Sequence, residues 1–551
     1  MVEERGGIMD NTTSLINDAN QCIAQGKFNQ AATILEQALA INPKNPVILE
    51  ALGNTYFKLV NLKKAKDFFE QCLKVTSSPL TSLIQLIQIG MQSLDYDCAD
   101  KYLTELEKVA PENFLLGFYS AKLAAIQCDW EKVNCYRERL DSHNKFVING
   151  NKNLPLEFPL SLTTRTMDID YIFQLTKHYC ALQLDALTKQ AYSNYSTFKK
   201  KNKIRIGYVS DDICNHPVGH LIYQLFQHHD REKFEFYLYA YNIKPDDIYY
   251  QAAIKGCDHI IDITQLKHEV AAKKIHDDNI DILIDLKGHT TNNRLAIFAY
   301  KPAPIQITYL GYPGTTGATF MDYIIADKII IPKDQQQYYT EQVLYLPQCY
   351  QANPKQRIVS DKIFKKSDFN IPDNKFVFAC FNWSYKIEEQ LFTTWCDILK
   401  EVPSSILWLL ETNKKTKTNL LTTAHKHGVD KNRIYFAPLA NKPEHLARMK
   451  LVDLMLDTYT CNGHTTTSDA LYIGVPVLTC TGKHFASRVA TSILTAAGLP
   501  NLIANDLQDY KNKAIAFAHN PTSMHIDSSL FNPALICKQL ENIFIKIISS
   551  R

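Results

Sequence analysis

The segment Cys461–Asp469, CNGHTTTSD, follows a short apolar run, DLMLDT, and leads into a helical pattern, ALYIG. A helix starting at His464, Thr465 and Thr466 turns unpaired backbone N–H groups and the positive end of its dipole toward whatever faces it. The hydroxyls of Thr465, Thr466 and Thr467 add donors at the same mouth, which suits a diphosphate; the plain alternative is an ordinary threonine N-cap. Asp469, about one turn on, is a carboxylate able to accept from ribose hydroxyls. Upstream, PLANKPEHLARMK sets Lys442, His445 and Arg448 at i, i+3 and i+6, so one helix face carries three nitrogen groups. The strand-end residues FAPLA, closing on Ala440, bring that face to the same rim, although a solvated basic face is the competing reading. KFVFACFN runs into WSYKIEEQ, so Lys386 lies just past a strand end, where it can neutralise charge building on a departing diphosphate or simply sit on the surface.

A second group lies in DDICNHPVGHLIYQL, where His216 and His220 are four apart and Pro217 suits a first helical position. Histidine is suited to accepting a proton from a hydroxyl near neutral pH. A zinc reading lacks the intervening Glu of HExxH and a third ligand in spacing, so no metal is expected, while a capping or packing role for His216 stays open. Two Gly- and Thr-rich loops, GHTTNNRLAIFAY and LGYPGTTGATFMDY, follow strand-like runs and suit backbone contact to phosphate or sugar, the second through Gly311 and Pro313.

Short apolar β-branched runs alternating with helical stretches must hold these residues. IRIGYVS, FEFYLYAY, HIIDI, IDILIDL and PIQITYLGYPG form one such series; KFVFACFN, SILWLLE, RIYFAPL, DLMLDT and VPVLTC form another. The pattern predicts two doubly wound α/β domains over 201–365 and 366–551, with ligands at the carboxyl ends of the strands. In front, residues 12–112 repeat small and large apolar positions every 34 residues: Ala31, Ala65 and Ala99, each followed four residues later by Leu35, Phe69 and Leu103. Gly53 and Tyr56 share this phase, and Pro43 and Pro111 sit at repeat ends, a pattern that resembles tetratricopeptide repeats. Residues 113–200 read as a degenerate repeat plus bridging helices, and 1–11 as a disordered start.

With Lys+Arg at 60 and Asp+Glu at 57, no long run of one sign marks a nucleic-acid surface. Fourteen scattered cysteines lack the dense spacing of a disulfide scaffold or of paired zinc ligands. MVEERGGIMDNTT has no apolar leader core, and no segment reaches the about 18 apolar residues of a spanning helix. A soluble, cytoplasmic protein without membrane partners is the expectation; delivery to a host cell would leave the same sequence.

Taken together, HPVGHL, KPAPIQITYLGYPGTTGATFMDYIIAD, FNWSYKI, LANKPEHLAR, LDTYTCNGHTTTSDAL and ASRVA resemble the protein O-linked N-acetylglucosamine transferases, in order from about residue 200 to 530. The resemblance implies a GT-B fold behind tetratricopeptide repeats, the first α/β domain on the acceptor side and the second on the nucleotide-sugar side. It implies UDP-N-acetylglucosamine as donor, Ser or Thr hydroxyls of proteins as acceptors, inversion at the anomeric carbon, and no cofactor or essential metal. By the same resemblance Lys386 matches the lysine on the donor phosphate, and Lys442, His445, Arg448 and Asp469 match uridine- and ribose-side contacts. His464, Thr465 and Thr466 match the phosphate-side helix start, and His216 the histidine proposed as base. Trp383 stands where a polar residue is expected, and His289 follows the plant and bacterial branch. There is no long insertion between the halves, and the repeat array is short. The competing branch, protein O-fucosyltransferases using GDP-fucose, fits HPVGH and CNGHTT less well. A non-catalytic repeat scaffold is the other alternative.

Overall fold

The computed structural model describes residues 2–150, 156–195 and 202–550, with side chains from Asn11 onward. Two compact units are present, one of residues up to 124 with 131–141, the other of 125–130 with everything from 142.

In the first unit, helices pair across short turns: Val2–Ala24 with Phe28–Ile41, Pro46–Lys58 with Leu62–Leu73, and Leu80–Gln92 with Tyr96–Val109. The first helix begins at Val2, so the stretch expected to be disordered is helical over its described part. Asn45, Asn61 and Asp95 cap three of these helices by accepting from amides two or three residues on. The 34-residue period is explained by packing: Ala31, Ala65, Ala99, Leu35, Phe69 and Leu103 are all buried. A Cβ on Gly53 would lie 2.7 Å from the Phe69 ring, so this helix pair closes only over glycine.

The second unit holds both α/β domains. β1 (Ile204–Ser210), β2 (Phe234–Ala240), β3 (His259–Asp262), β4 (Ile282–Asp285), β5 (Ile305–Thr308), β6 (Tyr323–Ala326) and β7 (Gln342–Tyr345) form a parallel sheet ordered β3-β2-β1-β4-β5-β6-β7. β8 (Phe376–Cys380), β9 (Ser405–Leu410), β10 (Ile434–Ala437), β11 (Leu454–Leu456), β12 (Val477–Cys480) and β13 (Ile503–Ala504) form a second, ordered β10-β9-β8-β11-β12-β13. Strand order reverses between β1 and β4 in one sheet and between β8 and β11 in the other. Doubly wound sheets bind ligands in the crevice beyond the carboxyl ends of such strand pairs.

The C-terminal helix Pro533–Ser549 departs from the expected division at residue 366, because it returns to the first α/β domain. Phe544 meets Phe234 edge-on at 6.4 Å between ring centres, and Glu541 accepts from the Asp230 amide at 2.8 Å. Residues 125–130 pack on the second domain: Ser384 Oγ and Thr416 Oγ1 donate to the Ile126 carbonyl at 2.6 and 2.7 Å, and Trp130 Nε1 donates to Ile387 at 3.0 Å. Among the described residues no helix is long and apolar enough to cross a membrane.

Candidate active site

The chain leaves β11 at Asp457, whose buried carboxylate organises the turn that follows. It accepts from the Gly463 amide at 2.7 Å, Thr479 Oγ1 at 2.7 Å and Asn382 Nδ2 at 3.1 Å. Burial nonetheless raises its pKa to about 6, against those bonds. Asn462 Nδ2 donates to the Thr458 carbonyl at 2.7 Å and closes the loop, after which the helix Thr465–Tyr472 begins. His464 occupies the N-cap with no side-chain bond to the helix amides, so the simple threonine-cap reading does not describe this helix start. Thr465 and Thr466 stay partly exposed there. Thr467 does not serve as a ligand donor as expected, because its buried hydroxyl donates to the Gly463 carbonyl at 2.6 Å.

Lys386 reaches this turn from the neighbouring strand. It ends the short turn Ser384–Lys386 after β8, and its Nζ donates to the Asn462 carbonyl at 2.9 Å. Burial opposes its charge, but Cys461, Tyr385 and Asp457 outweigh that and hold its pKa above the ordinary value. The same ammonium, with burial leading, pushes His464 down to about 3. A fixed cation and an uncapped helix start thus share one turn at the β8–β11 crevice.

The helix Lys442–Met449 forms the adjacent rim, with Asn441 as its cap and Ala440 exposed in the loop before it. Its three nitrogen side chains differ in state. Lys442 Nζ donates to Asp469 Oδ2. Arg448 is buried and donates to Pro438 O at 2.5 Å and to His445 Nδ1 at 2.8 Å, so it orients the imidazole rather than facing outward. His445 Nδ1 is therefore an acceptor and its Nε2 carries the proton; burial and then Arg448 lower its pKa to about 3. Asp469 is held by a second cation, Arg357, from the segment joining the two domains. Burial would raise its pKa, but Lys442 and Arg357 bring it below the ordinary carboxylate value.

The facing wall comes from the β1–β4 crevice, and the helix Pro217–Ile222 packs against the helix Thr465–Tyr472. Pro217 is its first residue and His216 its N-cap, with Nδ1 3.3 Å from the Val218 amide and 3.4 Å from Asp212 Oδ2. Burial and then the nearby Lys287 depress His216, so it is neutral near pH 7. Lys287 Nζ bridges Asp211 at 2.6 Å and Asp212 at 2.7 Å, all three side chains being buried. His220 points to Asn215 Oδ1 at 2.8 Å, and burial followed by Lys442 lowers it to about 3. Gly311 has a steric role: a Cβ there would lie 1.8 Å from the Leu286 carbonyl, which presses the loop after β5 onto the end of β4. Pro313 is buried beside it. His289 is also buried, against the Thr316 carbonyl at 2.7 Å.

Among the described residues, one cluster joins three metal-ligating types: His229, Cys537 and Glu541. His229 Nδ1 lies 2.9 Å from Cys537 Sγ and 3.1 Å from Glu541 Oε1, lengths of direct contact without an intervening ion. No residue of this cluster belongs to the crevices described above.

Asp457, Asn382, Asp212, Lys287 and Arg357 were not assigned roles from sequence. Asp457 carries a readable signal, an acidic residue closing an apolar strand ahead of a Gly turn. Arg357 beside Asp469 and Lys287 near His216 come from elements remote in the chain and carry none, although Asp212 stands only four residues before His216.

Two parallel Rossmann-like sheets, each reversing its strand order once and preceded in the chain by helical repeats, define the GT-B type. The family model for glycosyl transferase family 41 matches residues 154–362 and 351–528, and tetratricopeptide repeat models match 19–60 and 48–79. The chain belongs to glycosyl transferase family 41. An Arabidopsis thaliana protein named as the probable UDP-N-acetylglucosamine–peptide N-acetylglucosaminyltransferase SEC is 38% identical over 361 residues, 63% of this chain and 37% of that one. A Caenorhabditis elegans UDP-N-acetylglucosamine–peptide N-acetylglucosaminyltransferase is 27% identical over 549 residues, 76% of this chain and 47% of its own. The chain thus spans less than half the length of these curated relatives. A mutant Thermobaculum terrenum O-GlcNAc transferase shares the fold, with a TM-score of 0.66, 22% identity and coverage of 97% of this chain and 94% of that one.

Proposed function

We propose that the chain is an inverting glycosyltransferase that moves N-acetylglucosamine from UDP-N-acetylglucosamine to Ser or Thr hydroxyls of proteins in the cytoplasm. One observation carries the reading: Lys386 Nζ is fixed 2.9 Å from the Asn462 carbonyl, inside the turn that opens the uncapped helix Thr465–Tyr472. A cation and free helix amides on one turn match the charge of a departing diphosphate. Lys442, His445 and Asp469 beside it suit the nucleoside end. The names of the plant and nematode relatives supply the sugar and the acceptor class.

The acceptor hydroxyl oxygen attacks the anomeric carbon from the face opposite the diphosphate. The bond to the β-phosphate oxygen breaks and UDP leaves with the electron pair into the field of Lys386 and the helix start. The hydroxyl proton passes to His216. That role requires the cap bond, in which Nδ1 accepts from the Val218 amide at 3.3 Å, to give way to Nδ1–H toward Asp212, which leaves Nε2 to accept. The reading assigns no cofactor or metal, so EDTA is expected to leave turnover intact. Protein acceptors are engaged by the tetratricopeptide repeats.

The test is UDP release and sugar incorporation with UDP-N-acetylglucosamine and a protein acceptor. Turnover is expected. Binding of GDP more tightly than UDP would move the assignment to fucose transfer, and absence of any nucleotide binding would leave a repeat scaffold.

A further inference from the structure

Asp469 is a buried carboxylate with two cations on it, Arg357 on Oδ1 and Lys442 on Oδ2. The site therefore carries one positive charge more than its carboxylate neutralises. The two cations are held differently. Lys442 has a single polar contact on a flexible stem and lies at the first turn of its helix, where the side chain is 15% exposed. Arg357 is 4% exposed and fixed at several points. Its Nη2 donates to Ser468 Oγ at 3.0 Å and Asn353 Oδ1 at 3.1 Å, and its backbone amide donates to Tyr472 OH at 3.1 Å. The guanidinium lies 5.5 Å from the centre of the Tyr472 ring and 5.8 Å from that of Phe531. A planar fork gripped by two rings and three acceptors cannot follow a ligand, whereas a lysine on one contact can.

We propose that Arg357 is the positioning residue for the ribose end of the nucleotide site, holding Asp469 charged and fixed while Lys442 is released to the incoming anion. This rests on the nucleotide-sugar reading above. Lys442, on its single contact at the nucleoside end, turns from Asp469 to the incoming nucleotide. Without Arg357 the carboxylate would then be buried and unpaired, a state avoided by taking up a proton. A protonated or displaced Asp469 is a poor acceptor for two ribose hydroxyls. Arg357 touches no substrate in this scheme; its effect passes through Asp469.

The experiment uses the full chain and calorimetry with UDP and 2′-deoxy-UDP, alongside steady-state kinetics with UDP-N-acetylglucosamine. The native chain is expected to prefer UDP by about tenfold or more, the value of a charge-assisted hydrogen bond. In Arg357→Met the preference is expected to fall toward one, with KM for the donor raised about tenfold and kcat within about threefold. Arg357→Lys is expected to recover part of the preference. In Asp469→Asn the preference is already lost, and adding Arg357→Met is expected to change it little. An Arg357→Met chain that binds UDP and keeps the native preference overturns the proposal. So does a loss of kcat in proportion to lost folded protein with the preference intact. Native chain that binds UDP without preferring it over 2′-deoxy-UDP overturns the role of Asp469 and hence of Arg357. Failure of the native chain to bind UDP at all overturns the nucleotide reading itself.

Discussion

Lys386 is the residue on which the proposed chemistry most depends, because its ammonium is fixed to the turn where leaving-group charge would develop. Lys386→Ala is expected to lower kcat by about 10²–10³, the range for losing one preorganised electrostatic contact, with a smaller change in UDP affinity. A near-normal rate in steady-state assays would remove the lysine from the mechanism. His216 makes a pH prediction whose sign follows from its environment. A base must be neutral to accept a proton, and burial with Lys287 nearby lowers its pKa to about 4. The acidic limb of kcat/KM is therefore expected as pH falls through about 4, well below the ordinary imidazole value of 6.5. A limb near the ordinary value would show that the histidine of the free enzyme is not shielded in this way.

At the scale of elements, two glycines mark where the backbone must come close. Gly311→Ala brings a Cβ onto the Leu286 carbonyl, so the loop after β5 has to lift from the end of β4. A loss of about 1–3 kcal/mol is expected in denaturant unfolding, with reduced turnover because that loop adjoins the Lys287 segment. Gly53→Val separates the paired repeat helices at the Phe69 ring. It is expected to lower the thermal midpoint while leaving calorimetric UDP affinity unchanged, since Gly53 lies in the unit that does not contain the crevice. These elements follow from local pattern: the repeat period, the helix caps and the apolar strands are short-range features, and packing agrees with them.

For the whole molecule, two results bear on how the parts cooperate. Calorimetry of the intact chain with UDP and with GDP decides the nucleotide class, and tighter UDP is the expected result. Glu541→Ala removes the partner of the Asp230 amide and one of the partners of His229, which keeps Cys537, where the C-terminal helix meets the first α/β domain. The lost bonds are expected to cost about 1 kcal/mol in denaturant unfolding. A neutral effect would mean the helix is held by Phe544 and its apolar face alone.

The sequence by itself determined the class of architecture, the site's central turn and the family resemblance. CNGHTTTSD and the strands before it are contiguous, and alternating apolar runs report directly which segments become covered strands. Lys386 was readable for the same reason, standing one turn beyond such a strand. Only the tertiary structure decided what each polar group is bonded to. Arg357 and Asp469 are 112 residues apart, and His229 and Glu541 are 312 apart. Periodicity tells which face of an element is buried but not which element covers it, so ion-pair partners at a domain junction have no local signature. The bonds of Arg448 to His445 and of Thr467 to Gly463 span only three and four residues, yet the sequence allowed outward-facing donors equally well, and packing chose between them. The lack of a signature for remote partners is why the C-terminal helix, next in sequence to the second domain, packs on the first: a long apolar face settles on whichever uncovered surface the completed sheets leave within its reach.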